Sequence, residues 1–322
     1  MNVTSKYTAD YEMRNLISDN NTLLMIINRF DISLGFGDST IHKVCKEQNI
    51  DEKTFLTVVN FLSNRPYELD NVNLSSLMGY LEKGHDYFLT FNLPSIRRKL
   101  IEAINYSDNP DLSLLIIKYY DRYVNEVRAH MDYENDYVFT YVRNLLKGIK
   151  DKNYSIKIFA QKHNHIDEKL SELKNLIIRY YPDKSNNDLL YSVLFDIINC
   201  EQDLISHCMV EDKILLPVVL KVEKSLADKN VSAECVVEES DEEVVEEHNV
   251  QLSQREKDIL VCVAKGMTNK EIADELFISV NTVTKHRYNI TSKLQIHTPA
   301  GLTIYALVNN LVCLDEISSN LS

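Results

Sequence analysis

The sequence has no tryptophan and few helix breakers, with seven glycines and six prolines in 322 residues. So few turn-formers exclude a fold of many short strands and predict long helices. It also lacks any run of about 18 apolar residues, which excludes a membrane-spanning helix on sequence grounds. The opening MNVTSKYTADYEMRN lacks the apolar centre of a signal peptide, so a cytoplasmic protein is expected. The six cysteines (Cys45, Cys200, Cys208, Cys235, Cys262, Cys313) show no CxxC spacing. They read as reduced thiols and not as a disulfide framework. No Ser-His-Asp arrangement, phosphate-cradling Gly loop or zinc-type Cys/His cluster is present, and an enzyme is not expected. No series of strands ending in Asp precedes the C-terminal region, which argues against control by phosphorelay.

The charge is unevenly spread. The net charge is −13, yet residues 251–322 carry seven basic and seven acidic side chains, so the excess lies in residues 1–250. The back of the chain is therefore free to approach phosphate. Residues 234–247, ECVVEESDEEVVEE, hold eight acidic side chains and no basic one. Such a run repels itself and extends, so residues 226–250 are expected to be a linker.

Upstream, apolar residues recur at three- and four-residue spacing over about 70–105, 111–148, 153–181 and 186–225. Each block predicts a long helix. Short polar breaks between them predict a four-helix up-down bundle over 70–225. Residues 1–64 predict a smaller helical unit with a loop at Leu34-Gly35-Phe36-Gly37. The expected fold class is all-α.

Residues 251–322 begin with a capping box, Ser253 with Glu256, followed by Ile259, Leu260 and Val263 at core spacing. Gly266 ends this helix. Thr268 caps a second helix that turns Ile272, Ala273 and Leu276 inward. Ser279 caps a third with Val283, Ile290 and Leu294 inward, and Thr298-Pro299 opens a fourth. This is the arrangement that lays one helix in the major groove. On the third helix Asn281, Thr284, Lys285 and Tyr288 lie opposite the apolar face and can reach base edges. Thr268, Lys270, His286, Arg287 and Lys293 are placed for phosphates. The segment resembles the LuxR-type (GerE-type) DNA-binding domain. The resemblance rests on Leu252, Arg255, Glu256, Ala264, Gly266, Asn269-Lys270-Glu271-Ile272-Ala273, Leu276, Ile278-Ser279, Thr282-Val283, His286, Asn289-Ile290 and Lys293-Leu294. It implies binding of double-stranded DNA by a homodimer at a near-palindrome. The family's usual Lys after Thr-Val is Thr284 here, with Lys285 next.

Two His-x-x-x-Glu pairs, His130 with Glu134 and His207 with Glu211, occur on different predicted helices. A spacing of four puts both members of a pair on one helix face. His85 lies in register with Leu81 and Phe88. His163 lies in register with Ile166, Leu170 and Leu173, whereas His165 falls on another side of that helix and is the less favoured residue. Carboxylates in an apolar bundle need a partner. Imidazole with carboxylate is a ligand set for first-row metals. Glu134 and Glu211 suit bridging positions. His85, His130, His163 and His207 suit terminal ligation.

The block resembles a hemerythrin-like domain, nearest to the di-iron proteins linked to repair of damaged iron–sulfur centres. The resemblance implies two iron ions with an oxo or hydroxo bridge, held by His85, His130, Glu134, His163, His207 and Glu211. The ending Glu211-Asp212-Lys213-Ile214-Leu215-Leu216-Pro217 fits that family. Arg29–Gly37 with Val44-Cys45 resembles the family's small N-terminal domain, but Leu34-Gly35 stands where it has an adjacent Cys pair. Together these features predict a transcriptional regulator whose di-iron bundle senses oxygen, nitric oxide or redox state, with a diatomic gas as ligand. The alternative is a di-iron repair or gas-detoxifying stress protein that carries a DNA-binding domain.

Overall fold

A computed structural model describes residues 5–104, 110–149, 151, 154–162, 166–181, 187–228, 252–294, 296–309 and 311–312. His163, His165 and most of the predicted acidic linker lie outside the described residues. The fold is all-α, with no strand among the described residues and one isolated bridge between Glu12 and Thr40.

Four short helices come first: α1 (Met13–Asp19), α2 (Leu23–Arg29), α3 (Ile41–Glu47) and α4 (Glu52–Leu62). The Thr40 hydroxyl accepts from Lys43 N–H to cap α3, and the Asp51 carboxylate accepts from Thr54 N–H to cap α4. Then follow α5 (Leu74–Asp86), α6 (Leu93–Ile104), α7 (Pro110–Tyr133), α8 (Phe139–Leu146), α9 (Ile156–Lys162), α10 (Ile166–Tyr180), α11 (Asn187–Val210) and α12 (Leu216–Asp228). Helix α12 therefore runs three residues into the segment expected to be linker. The C-terminal helices are α13 (Gln254–Ala264), α14 (Asn269–Glu275), α15 (Val280–Leu294) and α16 (Pro299–Val308).

Three of the long helices are not regular throughout. A π-helical turn occupies Tyr87–Asn92 between α5 and α6, another Glu134–Val138 between α7 and α8, and a third Glu211–Leu215 between α11 and α12. In each, a carbonyl accepts from the N–H five residues on: Phe88 from Leu93, Glu134 from Phe139, and Glu211 from Leu216. The wider turn inserts a residue and rotates the helix beyond it. Such turns occur frequently at functional sites. The first follows His85 closely, and the others begin at Glu134 and Glu211.

The chain divides into two compact units. The first comprises Met1–Leu93, Val127–Asn164 and Gln202–Glu234. One apolar core runs through it, from Met13, Ile27, Phe55 and Val58 of the N-terminal helices to Leu77, Leu81, Phe139, Val142, Ile214 and Val219. Helices α1–α4 thus share their interior with α5, α8 and α12.

The second unit comprises Pro94–Glu126, His165–Glu201 and Cys235–Ser322. Its interior includes Leu100, Ile116, Tyr120, Leu173, Val193 and Ile197, with Ile259, Leu260, Ile272, Val283, Ile290 and Leu302 at the C-terminal end. Arg97 grips Asp121 through two bonds, of 2.6 and 2.8 Å. Here α16 packs on both α13 and α10.

Candidate metal centre and DNA-facing helix

Five of the six expected ligands come together in the first unit. His85 Nε2 stands 3.0 Å from His207 Nε2, 3.3 Å from Glu134 Oε2 and 3.8 Å from Glu211 Oε1. His207 Nε2 is 3.2 Å from Glu211 Oε1, and His130 Nε2 is 2.8 Å from Glu134 Oε1. His85, Glu134, His207 and Glu211 are each at most 2% exposed. The expected sixth ligand, His163, lies outside the described residues.

These spacings fit a metal site. Donors about 2.0–2.2 Å from one first-row ion and at right angles to each other lie about 3 Å apart. The tautomer fits as well. His85 Nδ1 donates to Asn135 Oδ1 over 2.8 Å, which leaves Nε2 directed at the cluster. A ligating imidazole commonly gives its second N–H to such an acceptor. The ring of His85 stacks on Phe139 at 5.6 Å and 11°.

The electrostatics favour positive charge at this point. Burial works against a proton on His85, but hydrogen bonds and charges from Glu134 and Glu211 outweigh it and push the pKa up to about 10. Burial pushes His207 down, against the pull of Glu211. Burial and Glu211 would raise Glu134, yet His130 and His85 hold it below the usual carboxylate range. Two imidazole nitrogens 3.0 Å apart, flanked by carboxylates, mark where a cation can sit. Among the described residues, His85, His207 and Glu211 form a group able to hold an ion. When bound, a redox-active metal would supply reversible electron transfer and open positions for small ligands.

Two further residues shape this cluster. Gly84 matters because a Cβ there would lie 2.8 Å from His207 Nδ1 and 2.9 Å from its Cε1. Asn135 follows Glu134 directly, inside the π-helical turn. Neither stands out by spacing. Adjacency to an expected ligand was the available signal.

At the C-terminus, both capping boxes form. Ser253 pairs with Glu256 and Thr268 with Glu271, each through bonds in both directions. Ser279 Oγ accepts from Thr282 N–H at the start of α15, and Thr298 Oγ1 accepts from Gly301 N–H at the start of α16. Arg255 donates to the Leu276 carbonyl over 2.6 Å, bracing α13 against the turn after α14. Lys270, Asn281, Thr284, Lys285 and Tyr288 are exposed. Thr268 is also exposed, with its hydroxyl engaged in the cap. His286 and Arg287 are half-buried, and Arg287 donates to Asn269 Oδ1 over 2.9 Å. The ammonium of Lys293 donates to both oxygens of Glu256 at 2.9 Å.

A buried histidine–carboxylate cluster and a capped helix-turn-helix occur together in one all-α chain. Residues 81–219 match the Hemerythrin HHE cation binding domain, and residues 250–306 match Bacterial regulatory proteins, luxR family. The two matches fall on separate segments of the chain.

The chain is similar to Transcriptional regulatory protein LiaR of Bacillus subtilis, 48% identical over 61 residues, 19% of this chain and 29% of that protein. It is equally similar to Oxygen regulatory protein NreC of Staphylococcus carnosus, 48% identical over 61 residues, 19% of this chain and 28% of that protein. Fimbriae Z protein of Salmonella typhimurium is 43% identical over 65 residues, 20% of this chain and 31% of that protein. The chain thus covers under a third of the length of these three relatives. No solved structure matches it. No helix among the described residues is long and apolar enough to cross a membrane.

Proposed function

We propose that this chain is a DNA-binding transcriptional regulator whose histidine–carboxylate cluster holds two iron ions and whose DNA affinity follows oxygen, nitric oxide or redox state. The observation that carries this reading is the 3.0 Å approach of His85 and His207 between Glu134 and Glu211, in the same chain as the helix-turn-helix. A change of charge or ligand at the centre acts on α5, α7 and α11, the helices that bear these residues. The DNA-reading surface comprises Asn281, Thr284, Lys285 and Tyr288, with Thr268, Lys270, His286 and Arg287 toward the phosphates, presented by a homodimer to a near-palindrome, whereas Lys293, expected at a phosphate, is engaged by Glu256. His163 completes the ligand set. The similarity to an oxygen regulatory protein covers only 61 residues, 19% of this chain, so it does not by itself carry the stimulus.

One observation weighs against the repair alternative. Cys45 is only 1% exposed, and burial with Glu52 and Asp51 nearby pushes its thiol up, which disfavours the thiolate that redox exchange requires.

The test begins with full-length protein purified without air. Two irons per chain, an optical band that changes with oxygen or nitric oxide, and a matching change in affinity for DNA selected from a random library are expected. Protein without iron, or with a spectrum indifferent to both gases, overturns the sensor reading.

A further inference from the structure

Helices α1–α4 contain none of the expected ligands, yet one of their side chains reaches the centre. Arg29, the last residue of α2, is 2% exposed. Its Nη2 donates to Asp203 Oδ2 over 2.7 Å, and Asp203 precedes His207 on α11 by one turn. Its guanidinium lies 4.9 Å from the ring of Phe88, which meets the His207 ring edge-on at 5.8 Å. The space left by Gly84 is shared by both groups. A Cβ there would be 3.4 Å from Arg29 Nε and 2.8 Å from His207 Nδ1.

A guanidinium keeps its charge at every accessible pH. Burying it is costly, and Tyr80 and Asp203 together outweigh that cost, so the buried guanidinium keeps its charge beside the cluster. We propose that Arg29 and Asp203 are positioning residues that set the electrostatic balance of the metal centre, making the N-terminal helices part of that centre. This rests on the metal-binding reading above. The positive charge of Arg29 opposes further positive charge at the cluster. It weakens divalent-ion binding and favours the lower-charge redox state. Asp203 acts in the opposite sense. The two residues are bonded to each other, yet their removal moves the centre in opposite directions.

The experiment uses full-length protein with cobalt(II) as the probe, titrated into metal-free wild type, Arg29→Met, Asp203→Asn, the double variant and Arg29→Lys. Midpoint potentials of the iron-loaded forms are measured alongside. Arg29→Met is expected to bind cobalt about ten-fold more tightly and Asp203→Asn about ten-fold more weakly, the scale of one nearby charge at an intermediate effective dielectric. The potential falls in the first and rises in the second. The double variant returns to near wild type, and Arg29→Lys stays there. If both single variants weaken the site alike, or neither changes it, the pair is merely packing and the proposal falls. If Arg29→Met does not fold, Arg29→Gln, which also removes the charge, replaces it under the same criterion. A wild type that takes up neither cobalt nor iron overturns the metal reading itself, and the proposal falls with it.

Discussion

The hydroxyl of Tyr119 donates to Oε2 of Glu172 over 2.7 Å, and the Thr298 hydroxyl donates to the same oxygen over 2.8 Å. Thr298 N–H adds a bond to Oε1 over 3.3 Å. Tyr119 belongs to α7, which also carries His130, while Thr298 is the cap of α16. Glu172 is 5% exposed, so these donors have little water to fall back on. Replacing Glu172 by Ala leaves the Thr298 N–H without its acceptor and the Tyr119 and Thr298 hydroxyls with only their longer bonds, of 3.3 Å to the Lys169 carbonyl and 3.4 Å to Tyr119, and is expected to cost about 1–3 kcal/mol locally. Hydrogen exchange at Pro299–Val308 should accelerate by about ten- to hundred-fold, on the scale of about 1.4 kcal/mol per factor of ten. Gly301→Ala should act likewise, because its Cβ would meet Ile296 Cγ2 at 2.8 Å and Glu172 Oε1 nearer still. Unchanged exchange in both variants would show that α16 is held by its packing on α13 alone.

Asn135 fixes the ring of His85 through one hydrogen bond. Asn135→Ala should lower metal affinity by about ten- to hundred-fold, the usual effect of removing a partner behind a ligand. DNA binding by the metal-free protein should not change. Competition with a coloured chelator measures the first, and fluorescence anisotropy on labelled DNA the second.

The convergence of five of the six expected residues was legible because a spacing of four fixes a helix face whatever the rest of the fold does. Both His-x-x-x-Glu pairs and His85 needed only that regularity. The π-helical turns were not, since apolar periodicity averages over one inserted residue. Two left a trace in Leu93-Pro94 and Leu216-Pro217, where proline withholds the N–H that would have continued the regular ladder. The third, at Phe139-Thr140, left none. Arg29 and Asp203 stand 174 positions apart, and no local pattern relates them. Lys293 can be assigned to phosphate on charge alone. Its bond to a carboxylate 37 positions away appears only once α13 and α15 are packed.

That bond separates two lysines on one helix. Lys285 is exposed, and Lys285→Met should weaken DNA binding and reduce the slope of log affinity against log salt by about one, with melting unchanged. Lys293→Met should lower the stability of the C-terminal helices by about 2 kcal/mol, because it strands a buried carboxylate. Binding at several salt concentrations, with thermal melts of each variant, distinguishes the two roles. Equal effects on salt dependence would give Lys293 a phosphate contact as well.

The same pair sets an acid limit on the C-terminal helices. Burial would raise Glu256, but Lys293 and the Ser253 N–H and hydroxyl hold its pKa below the usual carboxylate range. A carboxyl lowered by folding contributes stability above its unfolded pKa and loses it as pH falls through the folded value. Protection of Gln254–Ala264 should therefore be steady from pH 7 to about 5 and decline below about 4.5. Glu256→Gln should already be less protected at pH 7 and show a shallower acid decline, since the neutral amide has no proton to take up. Hydrogen exchange across that pH range, corrected for the intrinsic rate, measures both slopes. A decline as steep in Glu256→Gln as in the wild type would assign the acid sensitivity to another carboxylate.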